Sequence, residues 1–286
     1  MPGPTARIRR DLTAALRHGN IAVDRFVRPG ALRPMLRFDN VTRTYGAHVA
    51  VDRLQLELRR CELFALLGHN GAGKTTTIRM LVGLLAPTSG SIYVGPYNVV
   101  ENPREVSRLI GYVPDQPFLY DKLSGREFLR FVADMHGLSD HAARDAVERE
   151  TERFQLQGFL DQLTESYSHG MRQRTVFAAA MIHAPEILVV DEPMVGLDPH
   201  SIRLVKDLLK SYSEEGKVVL MSTHTLQVAE EIADRVGVMR QGKVVFEGRV
   251  DELRTAIPDG GQTLESLYLA LMNRESAEGD AADAAH

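Results

Sequence analysis

The sequence predicts an α/β fold with a central sheet and an all-helical insertion. Three observations predict it. A glycine-rich run, Gly68 to Thr75, sits between a short apolar run and a segment with helical spacing. Apolar runs and amphipathic stretches alternate along most of the chain. From about 117 to 165 the alternation stops, and only long amphipathic stretches remain.

Taken in order, residues 1–34 stand apart as a basic extension, with seven arginines against two aspartates and prolines at 2, 4, 29 and 34. The stretch Ile8 to Phe26 fits a basic amphipathic helix on a membrane surface or a partner, and fits a loosely ordered extension equally well. Met35-Leu36-Arg37-Phe38 starts an alternating strand and the compact domain, read as 35–248; Met35 is also a candidate start of translation. Apolar runs at 63–67, 187–190, 218–221 and 236–239 read as strands, and helical spacing fits 76–85, 172–183, 200–213 and 226–233. Gly125 to His136 and Asp140 to Leu156 supply the helices of the insertion. Residues 249–286 form a C-terminal extension. From Asn273 it is Ala/Asp/Glu-rich, with one arginine against four carboxylates, and reads as disordered. No internal repeat is present, so the chain carries one such α/β unit.

Composition narrows the class. At 286 residues, 44% hydrophobic and 25% charged, the chain can bury a real core. A net charge of −4 gives no reason to expect nucleic acid. The single Cys61 excludes a disulfide within the chain and fits a reducing cytosol. Its place beside a predicted strand leads to an expectation of buried packing. No stretch approaches the ~18 apolar residues that span a bilayer. Met1 to Arg10 has arginines but no apolar core after them, which argues against a secretory signal. A membrane role therefore requires a partner.

The glycine-rich run Gly68-His69-Asn70-Gly71-Ala72-Gly73-Lys74-Thr75, followed by Thr76, fits G-x-x-x-x-G-K-[ST]. Glycines let backbone N–H groups point at phosphate oxygens, and the following helix aims its positive end at the same place. Lys74 then reaches the β- and γ-phosphates, and the Thr75 hydroxyl holds Mg²⁺. A P-loop nucleotide site is the consequence. Ile187-Leu188-Val189-Val190 reads as a buried strand delivering Asp191 and Glu192 to its carboxyl end. Asp191 suits a Mg²⁺ contact, direct or through water, and Glu192 suits the general base that polarises the attacking water. An acid pair after a strand is by itself more often a turn or cap; the phosphate loop reverses that. In Tyr167-Ser168-His169-Gly170-Met171-Arg172-Gln173-Arg174, Ser168 reads as an N-cap and Gly170 permits close backbone approach, making a second helix start able to meet an anion.

Phosphate loop, this segment, the Asp–Glu strand end and Ser222-Thr223-His224 occur in one order. Over about 35–248 the chain resembles the ATP-binding subunit of ABC transporters. The resemblance implies a P-loop NTPase core of ABC type and an ATPase using ATP and Mg²⁺. It implies head-to-tail pairing with a second copy or a similar subunit, each ATP held between one phosphate loop and the other chain's signature. Ser168 and Gly170 would then meet the γ-phosphate of the opposite subunit, and Gly196-Leu197-Asp198 would cross the interface. His224 would contact the γ-phosphate and attacking water, and Tyr45 would stack on adenine. The stretches 119–127 and 263–271, with the signature, are similar to drug-resistance-type exporters whose permease is a separate chain.

Two departures stand out. Where the family usually has Leu-Ser-Gly-Gly-Gln, this chain has Tyr-Ser-His-Gly-Met. In Gly111-Tyr112-Val113-Pro114-Asp115-Gln116, Asp115 holds the place of the Mg²⁺-contacting glutamine and Gln116 comes one later, leaving either as the metal contact. His48, His136 and His183 lack ligand spacing, which argues against zinc. The expected function is a subunit that powers an integral-membrane permease, by export, from the cytoplasmic face of the membrane. The rival is a soluble ABC-type ATPase acting on nucleic acid or the ribosome; the single unit without coiled-coil arms argues against it. A catalytically idle binding subunit is argued against by Glu192 and His224.

Overall fold

The computed structural model describes residues 34–250 and 252. The basic segment around Ile8–Phe26, the 263–271 stretch and the acidic tail lie outside the described residues.

The strands are β1 (Leu36–Tyr45), β2 (His48–Leu58), β3 (Glu62–Leu67), β4 (Ser89–Val94), β5 (Tyr97–Asn98), β6 (Ile110–Val113), β7 (Ile187–Asp191), β8 (Val218–Thr223), β9 (Arg235–Arg240) and β10 (Lys243–Arg249). The helices are α1 (Lys74–Leu81), α2 (Pro103–Leu109), α3 (Gly125–Met135), α4 (Asp140–Arg153), α5 (His169–Met181), α6 (Pro199–Glu214) and α7 (Leu226–Ile232). Six strands form one sheet in the order β10-β9-β3-β8-β7-β6, parallel except at the β10 edge, and four form an antiparallel sheet, β2-β1-β4-β5.

Every residue of β3, β7 and β8 is buried, because both faces of this sheet are covered. Alternation sorts their side chains into two cores. Leu63, Ala65 and Leu67 join Leu188, Val190 and Met221 on the face covered by α3 to α7. Phe64 and Leu66 join Val189 and Leu220 on the face covered by the antiparallel sheet and α1. Each fully buried aliphatic side chain contributes about 1.5–3 kcal/mol, so this sandwich is the rigid frame of the molecule.

The insertion is helical, as the sequence predicts. Ser124 and Glu127 cap each other's backbone in a capping box that starts α3, and Ser139 caps α4. The helix predicted over 76–85 runs instead from Lys74 to Leu81. Gly83, at φ 77°, closes it: its N–H reaches Met80 O and that of Leu84 reaches Arg79 O, a Schellman end. Cys61 corrects an expectation. It is exposed, at φ 59° in the turn that feeds β3, rather than buried beside the strand. Sequence reading sees only the first strand of the antiparallel sheet, although Leu54, Leu56 and Leu58 alternate as buried positions along β2.

Candidate active site

Parallel pairing sets the site. β3 against β8 places Leu67 beside Thr223, and β7 against β8 places Asp191 beside Ser222. The phosphate loop leaves the end of β3 and re-enters α1 at Lys74, so loop and carboxylates share the carboxyl edge of the sheet. Gly73 sits at φ 110°, and a side chain there would fall 2.5 Å from the Ala50 carbonyl oxygen and 2.9 Å from the Met239 methyl. Only glycine fits. β2 and β9 therefore back the loop from below.

Lys74 is 5% exposed. Its ammonium donates to Gly68 O at 2.7 Å and His69 O at 3.3 Å, and lies 3.3 Å from Glu192 Oε1. Glu192 is held at φ 49°, a conformation that costs a non-glycine residue about 1–3 kcal/mol and clusters at functional sites. Its N–H donates to Ser222, 3.1 Å to Oγ and 3.2 Å to O. Glu192 Oε2 lies 2.9 Å from His224 Nδ1. A carboxylate only accepts, so Nδ1 carries the proton.

Asp191 is fully buried. One oxygen accepts from the Ser222 hydroxyl, while Oδ2 has no hydrogen-bond partner. Burial raises its pKa; the hydroxyls of Ser222 and Thr75 pull it down, and the charges of Asp115 and Glu192 push it up. Thr75 thus lies beside Asp191 without closing an ordinary hydrogen bond to Oδ2. A buried, unpartnered carboxylate oxygen beside a hydroxyl is an oxygen donor set that suits a hard divalent cation. Tyr112 reports the same space: burial, then Asp191 and Asp115, push its phenol up to about 12 against the pull of Arg79.

Ser168 and Gly170 lie elsewhere. Ser168 caps α5, its hydroxyl accepting the Met171 N–H at 3.3 Å. The nearest neighbours around Gly170 are Ser201 and Asp198, not the phosphate loop. Tyr45 ends β1 half-exposed, with the Arg43 guanidinium 4.7 Å above one face of its ring.

A groove of about 340 Å³ runs beside β6, lined among others by Tyr112, Pro114, Phe118, Val132, His136 and His183. His136 and His183, unrelated by sequence spacing, stack at 3.7 Å with their planes 7° apart. Phe118 on its lining is exposed, as are Tyr120, Phe131 and Met135, and Tyr120 meets Phe118 and Phe131 edge-on.

A sequence profile of the family described as ABC transporter matches residues 51–195. The chain belongs to the ABC transporter ATP-binding family. Among relatives, the bacitracin transport ATP-binding protein BcrA of Bacillus licheniformis is 36% identical over 77% of this chain and 71% of its own. The linearmycin resistance ATP-binding protein LnrL of Bacillus subtilis is 34% identical over 84% and 76%. The solved ATP binding subunit of an ABC transporter superposes with a TM-score of 0.77 at 31% identity, covering 83% of this chain and 99% of that one. The dimeric bacterial ABC transporter cassette MJ0796 gives 0.70 at 26%, covering 76% and 99%. The chain is therefore an ATP-binding cassette and an ATPase.

On this cassette the structure gathers Lys74, Thr75, Asp191, Glu192 and His224, with Asp115 felt at Asp191. Sequence reasoning named Ser222 beside His224 but gave it no role, although it contacts both acids, and missed Met239, which with Ala50 limits the loop to glycine. A hydroxyl opposite a strand-end carboxylate in parallel register is the signal that could have given Ser222 its role. Among the described residues no helix is long and apolar enough to cross a membrane.

Proposed function

We propose that this cassette hydrolyses ATP to power a separate integral-membrane permease, in export, docked at the cytoplasmic face of the membrane. The observation that carries the reading is the chain of contacts Lys74–Glu192–His224 on the phosphate-loop edge. Lys74 is placed to move from the loop carbonyls to the β- and γ-phosphates when ATP enters. Glu192, oriented by Ser222 and His224, accepts a proton from the attacking water, and His224 holds that carboxylate toward it. Asp191 and Thr75, with Asp115 nearby, would hold Mg²⁺. When bound, that ion neutralises charge developing on the phosphate oxygens. Tyr45 offers its open ring face to adenine.

Each chain offers one phosphate loop and one capped signature start whose neighbours lie away from that loop. This arrangement supports a composite site, Ser168 and Gly170 of one subunit facing ATP on another, with Gly196-Leu197-Asp198 crossing between them. The similarity to a dimeric cassette supports the same pairing. The groove beside β6 and the exposed aromatics near it support permease docking on the insertion side, because exposed apolar side chains gathered in one place mark interaction surfaces. The relatives' roles in bacitracin transport and linearmycin resistance favour export. The test is purification from membranes with Glu192→Gln to hold the closed state. A polytopic partner co-purifying under ATP is expected, and a cassette that leaves the membrane alone under every nucleotide condition would overturn the permease reading.

A further inference from the structure

The signature of this chain departs from its family by a histidine at 169, where a glycine is usual, and the structure gives that side chain a task. His169 is the first residue of α5. Its ring reaches over the loop that follows the Asp–Glu pair. Nε2 lies 3.3 Å from Val195 O; a carbonyl only accepts, so Nε2 donates. The ring also rests against Gly196, at φ 74°, where an added side-chain carbon would fall 3.1 Å from Nε2 and 3.4 Å from Cδ2.

The loop is anchored at both ends. Glu192 is pinned to Ser222 at its start. At its far end the Asp198 carboxylate accepts the Ser201 N–H at 3.1 Å and hydroxyl at 2.6 Å, and Asp198 O accepts the Ile202 N–H at 3.0 Å. Between the anchors the backbone bonds are long, 3.3 Å for Val195 N–H to Glu192 O and 3.4 Å for Leu197 N–H to Met194 O. His169 supplies a side-chain hold where the backbone holds least. A glycine at 169 has no atoms to do so.

We propose that His169 is a positioning residue for ATP hydrolysis: it ties residues 195–198 to the start of α5, so each subunit presents Ser168, Gly170 and the crossing loop to its partner as one unit. This rests on the composite-site reading. The loop begins at Glu192, so slack in it loosens the catalytic acid of the same chain and the surface offered to the other.

The test uses the full chain with Mg²⁺-ATP. His169→Gly should lower kcat about threefold to tenfold, the range for losing one neutral hydrogen bond, while KM for ATP stays within about twofold. His169→Gln keeps an N–H donor at similar reach and should recover most of kcat; His169→Leu fills the space without donating and should not. In mixed dimers of the His169→Gly chain with a Lys74→Ala chain, the site pairing the first chain's phosphate loop with the second chain's intact signature keeps its own Glu192 beside a loosened loop, so recovery should be partial. Wild-type kcat in His169→Gly, a change confined to KM, or equal rescue by leucine and glutamine would overturn the proposal. A parallel mixture of Lys74→Ala and Ser168→Ala chains separates the two ideas. If that mixture restores no site, the composite reading fails and this proposal with it; if it does while His169→Gly is silent, only the role of His169 fails.

Discussion

The two helix starts proposed to meet ATP are built in opposite ways. At the phosphate loop, Lys74 is buried and donates inward to carbonyls of its own loop, and Gly73 is wedged against Ala50 and Met239. At the signature, Ser168 caps α5 on a partly exposed surface, and its neighbour His169 reaches sideways to a loop whose residues Val195, Gly196 and Asp198 are exposed. One end is complete within the chain. The other, on the composite-site proposal, would meet its anion on another subunit. On that proposal, burial more than motif would separate a site that binds alone from one that binds in company.

The largest effect should come from breaking the complete side. Glu192→Gln keeps the volume and the Ser222 anchor of the backbone but removes the basic oxygen. Turnover should fall about 10²–10⁴-fold, the usual weight of a general base, while ATP still binds and closed dimers accumulate. Lys74→Ala should instead weaken nucleotide binding itself, since it removes the ammonium that the cradle is folded around. Single-turnover hydrolysis beside a nucleotide-binding titration separates the two. Wild-type turnover in Glu192→Gln would remove that residue from the mechanism.

Next comes the surface that needs a partner. Ser168→Ala should leave ATP binding by the isolated chain intact and cost most of the dimer's turnover. Mixing it with Lys74→Ala should rebuild one intact site in the heterodimer, seen as activity that rises with mixing and falls on dilution. Activity that tracks each chain independently at all dilutions would dissolve the contrast drawn here.

The same contrast explains what could be read from the sequence. The phosphate loop was legible because its backbone tolerates few residues, so chemistry and pattern coincide. The strand delivering Asp191 was legible because burial on both faces leaves an uninterrupted apolar run. The role of Ser222 escaped because it lies in register across β7 and β8, which no single segment encodes. β4 escaped for a related reason, pairing with β1 through a bulge and opening on Ser-Gly-Ser, whereas the alternation of β2 from Leu54 to Leu58 was there to be read. His136 and His183 are 47 positions apart, and only the packing of the insertion on the core makes them neighbours.

That pair marks the seam between the two regions. His183 lies two residues beyond the end of α5, and its Nε2 donates to Ile110 O at 3.1 Å at the start of β6. Its Nδ1 is buried without a partner. Burial, then the neighbouring His136, lower the His183 pKa to about 4 from the ordinary 6.5, against the bond to Ile110. A depressed histidine leaves stability intact above 6.5 and removes it as pH falls toward about 4. His183→Phe should therefore lose about 1 kcal/mol at pH 7.5 with the bond to Ile110, yet decline less between pH 6.5 and 4.5. Urea midpoints across that range decide it, and a slope matching the wild type would acquit His183.

The last comparison concerns Asp115 and Gln116, on the loop that leads from β6 into the insertion. Asp115 is exposed, yet its charge is felt at both Asp191 and Tyr112, which places it toward the cation-suited pocket. A second carboxylate there adds an oxygen ligand but also repels the phosphates, so its benefit depends on the metal being present. We expect Asp115→Ala to raise the Mg²⁺ needed for half-maximal ATPase about tenfold, the scale on which residues supporting a metal act. Gln116→Ala, one residue nearer the exposed Phe118, should leave basal ATPase unchanged and weaken its stimulation by the permease. Mg²⁺ titrations of both variants, alone and in vesicles with the partner, make the comparison. If Gln116→Ala alone moves the metal dependence, the roles exchange: the amide then serves the metal without adding charge, and Asp115 belongs to the docking side.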